Sequence, residues 1–260
     1  MNPLTDLLGN LQLFMAVLIR TSGVILATPV INGREVPLPV KAGLVLVIAV
    51  LIFPTLPAAE FRPAHDLVGF AAMAAGELAV GLALSFVALL TFGTVQIAGE
   101  MISRQMDFDF AQIADPLFDE EASLLSQFNL LMAAVVLLAI NGHHWFLQAL
   151  HDSFARVPIG GFVWSGRLCA AAVDLFSSIY VLGVQLAAPL VCAFLLITVA
   201  VGVLARVAPQ LNVLMIGIGL RVGAGLIGIG LFIPYLVAYI ERLMLGMRRD
   251  LYLVIEAMRG

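Results

Sequence analysis

The chain has 260 residues, of which 62% are hydrophobic and 12% charged, and its mean hydropathy is +1.07. Soluble domains are about 45–50% apolar and about 25% charged, and one core of this size cannot bury so much apolar surface. The chain is therefore predicted to lie in a bilayer, in a larger protein assembly, or in both. A net charge of −4, with 13 scattered basic residues, excludes the basic stripe typical of nucleic-acid binding.

Six apolar segments follow one another, and each is long enough to cross a hydrocarbon core about 30 Å thick as a helix. Because lipid offers the backbone no hydrogen-bond partner, we predict an all-α fold of helical hairpins with about six long apolar helices. The tail after Glu241 alternates arginine with apolar residues and predicts an amphipathic helix. The six segments cover residues 11–31, 38–58, 67–99, 128–150, 168–204 and 211–240.

Segment 168–204 is too long for one crossing. As a single helix it would extend about 55 Å, and Pro189 would remove a hydrogen bond near its middle. The segment is therefore predicted to break, to fold back, or to continue beyond the membrane plane against other protein. The basic residues between segments favour both termini in the cytoplasm by a small margin.

The loop over residues 100–127 combines seven acidic residues and a single arginine with many large apolar side chains. A segment of this kind between two helices fits one of two hypotheses. It docks in a cavity and moves out again as a lid does, or it is a solvated acidic loop.

Asn141-Gly-His-His-Trp145 and His151 raise the question of a metal site. His143 and His144 project about 100° apart on a helix, and His144 and His151 lie about 10 Å apart along one face. Two ligands of one zinc lie closer than that. We predict no metal, no cofactor and no enzymatic activity, with Asn-Gly turning the backbone and Trp145 at the membrane boundary. A membrane enzyme that uses these histidines is an alternative.

Glycines are concentrated in the last apolar segment. Gly223-Ala-Gly225-Leu-Ile-Gly228 matches the GxGxxG pattern, but it lacks the strand and turn of a dinucleotide site. We interpret these glycines as a helix-packing surface, because small residues let two helix backbones approach closely. Its members are Gly217, Gly219, Gly223, Gly225, Gly228 and Gly230.

Four charged residues interrupt the apolar runs. A charge at the bilayer centre costs about 2.5–3.5 kcal/mol on insertion scales and usually faces protein or water. We favour pairing between helices, because the two carboxylates are isolated in sequence and a relay normally needs several in register. A proton-coupled secondary transporter with a midplane site built from these residues is the alternative. The four are Arg20, Glu77, Asp174 and Arg221.

Five motifs follow in order along nearly the whole chain. They are Arg20-Thr-Ser-Gly, Gly99-Glu-Met-Ile-Ser-Arg-Gln-Met106 leading to Asp115-Pro116, Asn141-Gly-His-His-Trp145, Val157-Pro-Ile-Gly-Gly161, and Ala205-Arg-Val-Ala-Pro-Gln-Leu-Asn-Val213. In order and spacing, the chain resembles the FliR family of the flagellar type III export gate, called SctT in virulence secretion systems. The loop sequences are more similar to the flagellar branch.

This resemblance implies a structural pore subunit in the bacterial inner membrane at the flagellar basal body. It implies a tapered helical assembly with several copies of FliP and FliQ, through which unfolded flagellar subunits leave the cytoplasm. FlhB and FlhA homologues, the basal-body rings and lipid are further implied partners. Residues 1–165 would be a FliP-like part, and residues 166–260 a FliQ-like part.

The resemblance also implies that the loop over 100–127, at about residues 106–124, forms the plug of the channel. Two positions depart from the family pattern near functional segments. Family members often have glycine where this chain has Asp107, and Gly-Phe-Pro-Leu-Lys where it has Gly217-Ile-Gly-Leu-Arg221. The first departure would change the packing of the closed plug, and the second removes a proline kink while keeping the positive charge. The implied plug residues are Met106, Phe108, Phe110, Ile113, Asp115, Pro116 and Phe118.

Overall fold

The computed structural model describes residues 3–28, 36–56, 61, 63, 64, 66–107, 123–208 and 213–259, without the side chains of 3–7 and 213–216. Within these ranges the regular structure is helical and contains no strand, which confirms the all-α fold. A single 3₁₀ turn, Phe53–Thr55, follows the second helix. The helices are α1 Pro3–Ala27, α2 Leu38–Ile52, α3 Leu67–Gln105, α4 Leu124–Ala139, α5 His143–Arg156, α6 Gly166–Val207 and α7 Val213–Met258.

Five helices among the described residues are long and apolar enough to cross a membrane. They are α1, α2 with its 3₁₀ turn, α3, α6 and α7, and the count becomes six if α4 and α5 are taken as one broken span. α2 and α3 are apolar on all sides, as expected for helices that meet lipid or other protein all round. The fold is that of a polytopic membrane protein.

The segment predicted as one helix over 128–150 consists of two helices, so that prediction is wrong. α4 ends at Ala139, and Asn141 has a φ of 56° in the left-handed region before α5 begins at His143. Asparagine tolerates this conformation better than most residues, because its short polar side chain bonds locally. The break therefore lies at the Asn-Gly turn that the sequence indicated.

α6 is continuous through Pro189, and α7 through Pro234. The break and the fold-back predicted for 168–204 are therefore wrong, and the overlong continuous helix is the alternative that remains. The three longest helices, α3, α6 and α7, contain 39, 42 and 46 residues. At 1.5 Å per residue they extend about 59, 63 and 69 Å, roughly twice the hydrocarbon thickness.

The chain forms two compact units. Unit 1 comprises Met1–Leu90, Asn141–Phe176 and Leu245–Gly260, and unit 2 comprises Thr91–Ile140 and Ser177–Met244. α3, α6 and α7 each contribute residues to both.

The last turns of α7 supply much of the core of unit 1. The buried side chains recur at helical spacing, which confirms the amphipathic tail, although the tail continues α7 rather than forming a separate helix. Polar contacts fasten it: the Tyr252 hydroxyl donates to Asp152 Oδ2 at 2.9 Å, and Ser165 Oγ donates to the Ala257 carbonyl at 2.8 Å. The buried side chains are Met247, Leu251, Val254, Ile255 and Met258.

We expect Leu251→Ala to lower the free energy of unfolding by about 2–5 kcal/mol, because it leaves a cavity in this core. Leu253→Ala is the matched control, since Leu251 is 0% exposed and Leu253 is 40% exposed. The apparent melting temperature of the full chain in mild detergent is the measurement. Equal losses in the two variants would show that the tail does not fill this core.

Candidate functional site

The centre of unit 1 is a fully buried arginine. Arg20 lies in α1 with 0% of its side chain exposed, and its Nε donates to Glu77 Oε2 on α3 at 2.6 Å. Nη1 donates to Ser153 Oγ on α5 at 3.1 Å, and Nη2 donates to the Val157 carbonyl at 3.0 Å. The guanidinium also lies 4.2 Å from the centre of the Phe154 ring. Every nitrogen of the guanidinium therefore has a partner.

Glu77 is equally enclosed. Its second oxygen, Oε1, accepts the Gly160 backbone N–H at 3.0 Å, and its side chain is 0% exposed. Gly160 has a φ of 77°, a conformation that glycine adopts without steric cost. The Val157-Pro-Ile-Gly-Gly161 motif thus supplies one acceptor to Arg20 and one donor to Glu77.

Two glycines let α1 and α3 approach closely beside this pair. A Cβ on Gly23 would lie 3.0 Å from the Gly81 Cα, and a Cβ on Gly81 would overlap the Arg20 carbonyl oxygen. The Arg20-Thr-Ser-Gly motif therefore contains both the buried charge and the helix-crossing glycine. Neither Gly81 nor Ser153 was singled out in the sequence, although Ser153 follows the buried α5 positions at helical spacing.

The arrangement is a closed polar cluster, which we name the Arg20 cluster: Arg20, Glu77, Ser153, Val157 and Gly160. Burying two charges is tolerated when they are paired and their remaining hydrogen-bonding atoms are satisfied, as here. A proton relay would need groups that exchange partners along a path to water. The geometry favours a structural role in holding three helices and a turn together.

Unit 2 contains a second ion pair. Arg221 Nη1 of α7 lies 2.6 Å from Asp107 Oδ2, and the side chains are 24% and 27% exposed. Arg221 Nε is buried without a hydrogen-bond partner in the described part of the chain. Asp107, one departure from the family pattern, therefore contacts Arg221, the position at which that pattern keeps a positive charge.

The glycines of α7 divide between two faces of the helix. A Cβ on Gly217, Gly225 or Gly228 would contact Val201, Met106 or Leu190 respectively. Gly219, Gly223 and Gly230 have no atom of the described chain within 4 Å of such a Cβ. At about 100° per residue, the first three lie on one side of α7 and the last three on the opposite side.

Gly99 allows another close crossing within unit 2. A Cβ at this position would lie 2.7 Å from the Ser126 Cα and 2.9 Å from Asn129 Nδ2 on α4. Ser126 Oγ donates to the Gln96 carbonyl of α3 at 3.3 Å. The motif that begins at Gly99 therefore starts where α3 and α4 touch.

Among the described residues, His143, His144 and His151 do not form a buried polar cluster. The His143 and His144 rings lie 4.2 Å apart, and His151 Nδ1 lies 3.4 Å from Asp152 Oδ1 at the surface. His151 also borders a largely apolar cavity of about 350 Å³. Among the described residues, no group of three or more histidine, cysteine, aspartate or glutamate side chains is placed to hold a metal ion.

The remaining residues predicted as site residues lie outside the Arg20 cluster. Asp174 lies on an exposed part of α6. Met106 is fully buried in unit 2 against Gly225. The remaining plug residues lie outside the described residues: Phe108, Phe110, Ile113, Asp115, Pro116 and Phe118.

Comparison with known proteins identifies the family. The family model described as "Bacterial export proteins, family 1" matches residues 11–247. The chain belongs to this family, which includes FliR. It is 32% identical over 238 residues to the flagellar biosynthetic protein FliR of Escherichia coli (strain K12), covering 91% of this chain and 90% of the relative.

Two further relatives have the same name. The FliR of Bacillus subtilis (strain 168) is 30% identical over 266 residues, covering 100% of this chain and 97% of the relative. The FliR of Pectobacterium carotovorum subsp. carotovorum is 29% identical over 238 residues, covering 92% and 90%. This FliR-family chain is therefore a membrane protein with a role in flagellar export.

We expect Arg20→Met and Glu77→Leu each to lower the free energy of unfolding by about 3–5 kcal/mol, because each leaves the other charge buried and unpaired. The double variant should recover much of this loss. The recovery should be partial, because Ser153, the Val157 carbonyl and the Gly160 N–H lose partners. The amount of intact chain in membranes and its melting temperature in detergent are the measurements.

The alternative that these residues form a proton relay predicts the opposite result for these variants. It requires the single variants to reach normal amounts in the membrane and to lose only activity. A double variant no more stable than the worse single one would also contradict the pairing interpretation.

Proposed function

We propose that this chain is a structural pore subunit of the flagellar type III export gate, and not an enzyme. It assembles with FliP and FliQ homologues in the bacterial inner membrane, at the flagellar basal body, into a tapered helical channel for unfolded flagellar substrates. FlhB and FlhA homologues and the basal-body rings are its further neighbours. Family membership and resemblance support the role, and the observation that carries the assembly is the apolar surface of α6.

The exposed apolar surface of α6 is longer than a bilayer can cover. Between Val173 and Val207, large apolar side chains recur on exposed positions over 34 residue steps, or about 51 Å. A hydrocarbon core is about 30 Å thick, and a helix tilted by as much as about 40° would still present about 39 Å along the membrane normal. Part of this surface therefore needs protein to cover it.

The open glycine face of α7 indicates what kind of protein covers this part of the chain. Gly219, Gly223 and Gly230 have space beside them, and small residues on one face let a second helix backbone approach closely. Lipid chains gain little from such a face, whereas a helix gains van der Waals contact along it. Helices of neighbouring subunits are therefore the proposed occupants.

The division into a FliP-like part over residues 1–165 and a FliQ-like part over residues 166–260 belongs to the same proposal. So does the plug at about residues 106–124, which rests on the resemblance and on the acidic-apolar composition of the segment. Met106, the first of the plug residues, is buried against α7 and supports a fixed attachment for the segment.

Gly223→Leu should abolish assembly with co-expressed FliP and FliQ homologues and leave the chain itself folded, because the new side chain fills the space that a partner helix needs. Co-purification yield measures assembly, and the melting temperature of the chain measures its own fold. The wild-type chain expressed alone should be low in yield, and co-expression should rescue it.

Two leucine variants on the same helix are matched controls. Gly246→Leu also meets open space but lies outside residues 217–230, so assembly should persist. Gly225→Leu overlaps Met106 and should destabilise the chain itself. A stable, monodisperse wild-type monomer without partners, or equal assembly of the Gly223 and Gly246 variants, would contradict the proposed interface.

Deleting residues 110–120 should leave assembly intact and make the membrane permeable to ions and small solutes, because the apolar segment no longer excludes water from the channel. Uptake of a small dye by cells that express the complete gate is the measurement. A Gly-Ser replacement of equal length controls for chain connectivity and should leak similarly. Loss of assembly without leakage would identify the loop as a structural brace.

A further inference from the structure

The end of α3 has an unusual conformation for an aspartate. The Met106 N–H donates to the Ile102 carbonyl at 3.1 Å, the Asp107 N–H donates to the Arg104 carbonyl at 3.4 Å, and Asp107 adopts a φ of 56°. This left-handed conformation suits glycine and is unfavourable for residues with a Cβ, although aspartate tolerates it better than alanine. The Asp107 side chain supplies a further interaction that favours this conformation.

Two consecutive residues dock on one face of α7. Met106 is 0% exposed and fills the hollow at Gly225, where a Cβ would overlap its side chain. The Asp107 carboxylate pairs with Arg221, which lies four residues before Gly225 and therefore on the same side of the helix. The apolar contact and the ion pair thus fix the end of α3 on α7.

We propose that Met106 and Asp107 form a latch on Arg221 and Gly225 of α7, and that this latch decides where α3 ends. The ion pair offsets the unfavourable conformation of Asp107. When the pair breaks, the residue returns to the right-handed region, α3 continues through position 107, and the end of α3 moves away from α7.

The pair is suited to reversible release. Both side chains retain about a quarter of their exposure, so the pair is not sealed inside the chain. The guanidinium donates to Asp107 through Nη1, while its buried Nε has no partner in the described part of the chain. A pair held by one short contact separates more readily than a two-pronged one.

Substitutions at position 107 separate charge from conformation. Asp107→Asn removes the charge, Asp107→Gly removes the pair but favours the left-handed region, and Asp107→Ala removes the pair and disfavours that region. We call the conformation in which the pair is broken the displaced state. Its population should increase in the order wild type, Asp107→Gly, Asp107→Ala. Relative to wild type, the alanine variant should raise its population roughly tenfold, as expected for loss of a charge-assisted hydrogen bond.

The conformation is read from the distance between spin labels on exposed positions of unit 2. Arg104→Cys on α3 and Ile227→Cys on α7 carry the labels, with Cys169 and Cys192 replaced by serine. The full chain is taken from expressing membranes into polymer-bounded nanodiscs, so that lipid and bound partners stay with it. A narrow wild-type distance distribution that gains a second population in the alanine variant is the expected result.

The charge exchange Asp107→Arg with Arg221→Asp decides the cause, because it should return the distribution towards wild type. The latch is wrong if all variants keep the wild-type distribution, or if the single variants shift and the exchange does not restore them. If the alanine variant gives too little protein, the asparagine variant, whose shape is nearly unchanged, tests the charge alone and should gain a smaller second population.

Dye uptake separates the latch from the plug. If deleting residues 110–120 causes leakage and Asp107→Ala does not shift the distance, the latch fails and the plug proposal stands. If Asp107→Ala shifts the distance and the deletion never leaks, the latch at α3 stands and the plug proposal fails.

Discussion

A buried guanidinium constrains the whole of unit 1. Arg20 has no contact with solvent, so each of its nitrogens needs an acceptor within the protein, and the acceptors come from α3, α5 and the turn after α5. That requirement fixes how deep α1 lies, which face α5 presents and where the chain turns at Gly160. Buried ion pairs seldom add net stability over well-packed apolar residues, but breaking one is costly. The Arg20 cluster is therefore better understood as selecting one helix arrangement among many similar apolar packings.

Such selection has particular value in an apolar chain. Leucine, valine and alanine contacts are nearly interchangeable, and within lipid no hydrophobic force favours one pairing of helices over another. Close glycine crossings supply part of the missing specificity, at Gly23 with Gly81 in unit 1 and at Gly99 with Ser126 in unit 2. The same chemistry continues outward on α7, where one row of glycines is filled by the chain's own side chains and the opposite row is open. Close packing at glycines thus stabilises the chain's own fold, and the open glycine row leaves the same kind of contact available to a neighbouring helix.

The sequence predicted the helices well, because an apolar backbone in lipid has few alternatives to a helix. It predicted the amphipathic tail of α7 and the turn at Asn141. At Pro189 it left a break, a fold-back and a continuous overlong helix open, and α6 is continuous. It also indicated that Arg20 and Glu77 would face protein, but nothing local marks Ser153, the Val157 carbonyl or Gly160 as their partners. Those contacts join residues more than 50 positions apart, and periodicity describes only one helix at a time.

The Asp107–Arg221 contact shows what a motif comparison gains from geometry. Taken singly, the resemblance implies only that Asp107 stands where family members often have glycine, and Arg221 where they often have lysine. Asp107 is in a left-handed conformation, which explains on stereochemical grounds why glycine suits the position. Its carboxylate then needs a cation, and a guanidinium on the facing turn of α7 supplies one at 2.6 Å. The unfavourable backbone conformation and the favourable ion pair belong to the same residue, so the aspartate at position 107 is understood only together with Arg221.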